Sequence, residues 1–194
     1  MTEPIPTRRE RKKAATRQSI ADAALRLFVE HGYDAVSVRD VAEAADVSTT
    51  TLFKHFSGKE ALVFDRDSDR EAEIVAAVQD RREGEGVIDA LQRHAQEAYA
   101  AISEHPRADD FARLVNSTPA LLTYSDRMWT RHSRSLATAI AAEMDRPADD
   151  VSCAALARWF LDIPAIIREQ PDPVHAMDSI FALLREGWAV RTAS

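Results

Sequence analysis

The chain has 194 residues, 45% of them hydrophobic, with 25 Lys and Arg against 32 Asp and Glu and a net charge of -7. That length and apolar content allow one large or two small domains with a buried core, and exclude a disordered tail. Cys153 is the single cysteine, which excludes an internal disulfide and a zinc pattern, and the acidic total excludes a protein that coats nucleic acid with a basic surface throughout.

The first stretch of interest is charged. Arg8, Arg9, Arg11, Lys12, Lys13 and Arg17 face only Glu10 between Thr7 and Ile20, whereas the chain after Leu62 is strongly acidic. This asymmetry predicts a basic N-terminal arm turned toward a polyanion, on a body with other work. An apolar region of the kind a secretory signal needs is missing there, and the longest apolar runs, such as "WFLDIPAII" with Asp162 inside it, are too short for a membrane span. A cytoplasmic protein with no membrane partner is expected.

Glycines number five, alternating β-branched runs are missing, and apolar residues recur at spacings of three and four. The prediction is therefore an all-α protein. A first helix carries Ile20, Ala24, Leu27 and Phe28 on one stripe and stops near Gly32. Ser37, with Asp40 three residues on, opens a short second helix to about Ala45. Asp46 tolerates a left-handed turn and Ser48 is a strong N-cap, so a third helix runs from about Thr49 to Phe56 with Leu52 and Phe56 facing inward. Ser57 and Glu60 have capping-box spacing and predict a longer fourth helix, ended near Gly84 and Gly86.

Beyond it the pattern predicts long amphipathic helices with weak breaks. Ile88, Leu91, Ala95, Ala98 and Ile102 stripe a fifth, and Pro106 and Pro119 bracket a short sixth with Phe111, Leu114 and Val115. Leu121 to Met144 reads as one long helix, Asp149 or Asp150 caps the next, which Pro164 is expected to kink, and Asp172 with Pro173 opens the last.

Two short helices joined by a tight turn, the second with polar residues at its exposed start, follow the helix-turn-helix plan. The first turn of such a helix comes closest to base edges in a major groove, and Thr49, Thr50 and Thr51 each offer a hydroxyl and a methyl there. Leu52 and Phe56 would hold the helix to the core, leaving Phe53, Lys54 and His55 near the phosphate rims. Lys59 lies at the next helix start, where peptide N–H groups already favour an anion.

The stretch "ALRLFVEHGYDAVSVRDVAEAADVSTTTLFKHFSGKEAL" resembles the tetracycline-repressor (TetR/AcrR) family of bacterial transcription regulators in the order and spacing of its residues. The resemblance implies phosphate contacts at Ser37, Ser48, Thr51, His55 and Lys59, and contacts to bases or their neighbours at Arg39, Thr49, Thr50, Phe53 and Lys54. Asp46 and Thr50 stand where Gly is frequent in that family, and Phe53 where Tyr is usual, so a phenolic hydrogen bond to phosphate is lost. The implied layout is a helix-turn-helix DNA-binding domain over residues 1–62 and a helical effector-binding and dimerisation domain over 63–194. The implied partners are double-stranded, near-palindromic operator DNA, a small-molecule effector and a second copy of the chain.

The second copy is expected to pair through the last two helices, whose apolar faces carry Leu156, Phe160, Ile163 and Ile167, and Met177, Phe181, Leu184 and Trp188. On a wheel of residues 121–144, Ser125, Met128, Trp129 and His132 share a largely apolar side, while Arg127, Arg131 and Arg134 form an opposite, solvated one. Ser125 and His132 are polar anchors for a mostly apolar ligand, with Phe111, Leu114 and Trp159 as further walls. His94 and Glu97 share a helix but are too few to hold a metal, and no nucleophile with its base, paired carboxylates or phosphate loop follows Leu62. Neither a cofactor nor an enzymatic activity is expected. Two readings stand at this point: a repressor released from its operator by a small apolar ligand, and a constitutive dimeric regulator whose C-terminal domain is filled by its own side chains.

Overall fold

The structure, a computed structural model, describes residues 7–103 and 106–192, with side chains described through Gly187. Its described residues are helical, in the order α1 (Arg8–His31), α2 (Val38–Ala44), α3 (Thr49–His55), α4 (Lys59–Val63), α5 (Asp67–Gln79), α6 (Val87–Ser103), α7 (Ala108–Ser117), α8 (Pro119–Glu143), α9 (Val151–Arg168) and α10 (Pro173–Thr192). The chain divides into two compact units, Met1–Asp67 with Arg107–Ser125, and Ser68–Pro106 with Asp126–Ser194.

In the first unit, α1 opens on a reciprocal capping box. Thr7 Oγ1 accepts from the Glu10 amide, and the Glu10 carboxylate accepts from the Thr7 amide at 2.7 Å. The basic stretch predicted as an arm is thus the opening turns of α1, and residues 8–15 are exposed throughout. From Ile20 onward the same helix is buried along Ile20, Ala24 and Phe28, and it ends at Gly32, whose φ of 86° only glycine adopts freely. α1 packs against α2, α3, α4 and α7. Fully buried Ile20, Phe28, Leu52 and Leu62 anchor this core, each removing enough apolar surface for about 1.5 to 3 kcal/mol.

The predicted long fourth helix is two helices. Gly58, not Ser57, precedes the first residue of α4, and no side chain caps it. The chain breaks at Phe64 (φ -102°, ψ 49°), whose buried ring stacks on Tyr124 at 5.2 Å and meets the edge of Phe111 at 5.9 Å. Turning that ring into the core is incompatible with a continuous helical stripe, and the aromatic contacts outweigh the local helix signal.

The second unit has a core of Ile74, Val78, Ile88, Leu91, Leu136, Ile140, Leu156, Phe160, Ile163, Ile167, Met177 and Phe181, with Cys153 among them. Asp150 caps α9 by accepting from the amides of Ser152 and Cys153, and the helix continues past Pro164 to Arg168. Asp172 accepts from the His175 amide at 3.0 Å to open α10. A polar seam ties α10 to α6: Asp178 accepts from Gln92 and Gln96, and Arg185 donates to Asp89 and Gln92.

This core uses most of the apolar face expected to pair. Leu156, Phe160, Ile163, Ile167, Met177 and Phe181 are buried within one chain, and Leu184 is half-buried against the same cluster. The apolar area of the six buried residues is already withdrawn from water within one chain, while Leu184 keeps part of its own exposed. The side chain of Trp188 lies outside the described residues. Among the described residues the large outward apolar groups of these helices are Val151, Trp159, Ile166, Val174 and Leu183, with Leu183 70% and Trp159 59% exposed. Among the described residues no helix is long and apolar enough to cross a membrane.

Candidate nucleic-acid interface

The helix pair in the first unit is built by local hydrogen bonding. Ser37 N donates to Asp40 Oδ2 at 2.7 Å and Asp40 N to Ser37 Oγ at 3.2 Å, a second capping box, which starts α2. At the other end of α2, Asp46 takes a left-handed φ of 52°. Its amide donates to Glu43 O at 3.1 Å and that of Val47 to Ala42 O at 2.9 Å, a Schellman ending with aspartate where glycine is usual. The chain reverses within this turn, and Ser48 then caps α3 by accepting from the Thr51 amide at 3.1 Å. Leu52 and Phe56 are buried and fix the inner side of α3, as the spacing predicts.

The outer side of α3 is open. Thr49, Thr50, Phe53 and Lys54 are exposed, and so is Arg39 on α2. Phe53 is 56% exposed and offers a flat apolar face on the same side as these polar groups. The candidate phosphate residues divide. The Ser37 hydroxyl donates to Asp40, and the Ser48 and Thr51 hydroxyls bond each other at 2.9 Å, so all three serve the helix starts and present their edges at an exposed rim. His55 is half-buried, and its pKa is lowered by burial and by the positive charges of Arg17 and Lys13.

Lys59 departs from expectation. Its Nζ donates to Tyr33 O at 2.5 Å and lies 4.1 Å from the Tyr33 ring centre and 5.5 Å from that of Phe28. The ammonium is turned inward because two aromatic faces and a carbonyl offer it a better site than water does. In this position it fastens the start of α4 to Phe28 of α1 and to Tyr33 just beyond it.

The residues predicted to line a ligand pocket fall in both units. In the first, Leu114 is buried, Phe111 packs on Phe64, and Ser125 Oγ donates to the Leu122 carbonyl at 2.9 Å, which satisfies it within its own helix. In the second, Met128 and His132 are buried, and Trp129 meets the His132 ring edge-on at 5.3 Å. Trp159 faces outward and is no wall of an interior site. Arg127, Arg131 and Arg134 are exposed, as expected.

Sequence reasoning missed Glu71 on α5. Its carboxylate accepts from Ser135 Oγ at 2.6 Å and Arg131 Nε at 2.9 Å, and lies 3.7 Å from His132 Nε2. Burial opposes the charge, but the Ser135 and Arg131 hydrogen bonds and the nearby His132 outweigh it and hold the pKa below the ordinary carboxylate value. Glu71 carries no periodic or motif signal, because its partners lie on α8, about sixty residues on. Beside it an open cleft of about 620 Å³ runs between α5 and α8, floored by Ala72, Val75, Ala139 and Ala142.

Residues 20–65 match the profile of bacterial regulatory proteins of the tetR family. The chain is 31% identical over 156 residues to the helix-turn-helix transcriptional regulator TcmR of Streptomyces glaucescens, covering 75% of this chain and 67% of that one. It is 32% identical over 165 residues to the transcriptional repressor Rv1474c of Mycobacterium tuberculosis, covering 82% and 83%. In fold it resembles Salmonella enterica GusR (TM-score 0.56, 22% identity, 96% and 95% covered) and SmeT in its complex with triclosan (TM-score 0.60, 18% identity, 87% and 91% covered). With a helix-turn-helix whose second helix has an exposed outer side and relatives matched over most of their length, the chain belongs to the tetR family of DNA-binding transcriptional regulators, which are not enzymes.

Proposed function

We propose that the protein is a homodimeric repressor in the cytoplasm that holds a near-palindromic operator until a small, largely apolar ligand releases it. The observation that carries this reading is the exposed outer side of α3, where Thr49, Thr50 and Phe53 stand clear of a buried Leu52 and Phe56. Two copies of such a helix reading successive major grooves require a two-fold partner, and half-sites about one or more helical turns apart. Arg39, Thr49, Thr50, Phe53 and Lys54 read bases or their neighbours, and Ser37, Ser48, Thr51 and His55 hold phosphates.

The ligand half of the reading is supported by the relatives: SmeT is known in complex with triclosan, and a similarly folded protein is a gamma-butyrolactone receptor. In this chain Met128, Trp129 and His132 supply apolar bulk and one polar anchor in the second unit. These likenesses disfavour a constitutive regulator. To move the population from 1:99 to 99:1 in favour of release, the ligand must prefer the released state by about 5.5 kcal/mol.

Selection of bound duplexes from a random pool, followed by footprinting, tests the core of this reading. Two related half-sites should be protected together. Arg39→Ala or Thr50→Ala should each weaken the selected duplex by about 1 to 3 kcal/mol and relax preference at one position per half-site. Protection of a single unpaired half-site at all concentrations overturns the dimeric arrangement, and no enrichment at all overturns the reading role of α3.

A further inference from the structure

Arg17 lies on α1, one turn before the buried Ile20, and its guanidinium is shared among three parts of the first unit. Nη1 donates to the carbonyl of His55 and Nη2 to the carbonyl of Asp65, while the guanidinium carbon sits 4.4 Å from the centre of the Phe56 ring. His55 is the last residue of α3, so its carbonyl belongs to a helix end that lacks intrahelical donors. Asp65 stands in the turn between α4 and α5. One planar cation therefore fastens both ends of the segment that contains α4, with α1 as the fixed side.

We propose that Arg17 is a positioning residue for operator reading: it sets the angle of α3 on α1 and ties it to the turn from which α5 departs, without itself contacting DNA. The proposal rests on α3 being the reading helix. The geometry asks for arginine specifically. A fork of parallel donors reaches two carbonyls on different segments and still lies flat on a ring, whereas a lysine ammonium is a point charge that can satisfy one of them. Both bonded nitrogens point to main chain and one face of the plane is covered by Phe56, so the group is already engaged where a phosphate ligand would need to be free. Lys13 and the Arg17 charge itself both act on His55, and Asp22 and Arg66 are the other charged groups acting near Asp65. Loosening Arg17 leaves the exposed residues of α3 intact but lets them swing, which harms matched base contacts more than tolerant phosphate contacts.

The test uses the full chain, a duplex recovered from a random pool by the wild type, and a scrambled duplex of equal length. Binding is measured over a salt series for wild type, Arg17→Lys and Arg17→Gln, alongside amide exchange and thermal unfolding. Arg17→Lys should lower the preference for the selected over the scrambled duplex about tenfold, the size of one weakened base contact per half-site. Scrambled-duplex affinity and the salt slope should stay unchanged, and exchange should quicken at the amides of Phe56 and Asp67, which bond to Leu52 and Phe64. Equal weakening of both duplexes with a salt slope lower by about one ion per subunit would make Arg17 a phosphate ligand and overturn the proposal. A lower melting temperature with the preference retained would reduce it to a stabilising bond and overturn it equally. Should Arg17→Lys not fold, Arg17→Gln, which keeps an amide donor for one carbonyl, is read by the same ratio. Failure of the wild type to select any duplex removes the reading role of α3 and this proposal with it, whereas selection by the wild type with an unchanged ratio in both variants removes this proposal alone.

Discussion

Asp46 holds a φ of 52° at the turn between α2 and α3, and Asp145 repeats the arrangement at φ 51° after α8, where the Arg146 amide donates to Ala141 O at 2.9 Å. Aspartate tolerates the left-handed region better than most residues, but its Cβ still crowds the following carbonyl. The stability order at position 46 should therefore be Gly above Asp above Ala. Asp46→Gly should gain about 0.5 to 1 kcal/mol, because relief of the strain exceeds the extra entropy glycine loses on folding. Chemical denaturation of the three proteins checks this, and an Asp46→Ala as stable as Asp46→Gly would show that φ at this turn is not the constraint. Lys59 makes the converse point about single residues. Its position at a helix start suggested an anion partner, and only the rings of Tyr33 and Phe28, brought over it by the end of α1, reveal an inward role.

At the scale of elements, the basic opening of α1 is an exposed stretch of helix: residues 8–15 are exposed and full burial begins at Ile20. Removing the residues before Thr16 should weaken DNA binding at low salt while leaving the melting temperature nearly unchanged, since five cations, Arg8, Arg9, Arg11, Lys12 and Lys13, leave with no core contact. Equal loss of both would mean that the extension supports the fold. The turn between α5 and α6 is governed by charge. Arg93 forks onto Glu85 at 3.0 and 3.1 Å, the Arg82 amide adds a bond at 2.9 Å, and these hold the Glu85 pKa down to about 2 from 4.5. A carboxylate depressed in the fold adds stability above its ordinary pKa, and that share is lost as pH falls from about 4.5 to about 2. Wild type should thus exceed Glu85→Gln in stability at neutral pH and converge with it near pH 2; a gap independent of pH would mean that the bonds, not the charge, matter.

The helix order, the N-caps at Ser37, Ser48 and Asp172, one of the two candidate caps of α9 (Asp150), and the inward Leu52 and Phe56 were legible because each depends on residues within one or two turns. The split of α4 from α5 was not, because it is decided by Tyr124 and Phe111, some fifty residues from Phe64. Arg17 and Glu71 escaped for the same reason: their partners are main-chain carbonyls or a distant helix, and neither leaves a trace in spacing.

For the whole molecule, the decisive feature is which side of α9 and α10 is already used. The buried side closes the second unit, and the outer side leaves Trp159, Ile166 and Leu183 in water. A standard interface needs about 800 Å² from each partner, and isolated large apolar groups on adjacent helices are its natural centre. Trp159→Glu combined with Leu183→Glu should leave a folded helical chain that sediments as a monomer and binds single half-sites weakly. Persistence of the dimer in that variant would place the seam elsewhere.

Cys153, fully buried in the second unit, also gives the protein an internal chemical clock. Burial first, and then the neighbouring Asp150, pushes its thiol up to about 11, so at neutral pH the group is both shielded and protonated. Alkylation then requires the unit to open, and the labelling rate divided by that of a free thiol gives the opening equilibrium directly. A cysteine introduced at the surface can be modified alone while the native one stays silent, and each binding partner that closes the second unit should register as a slower loss of the Cys153 thiol.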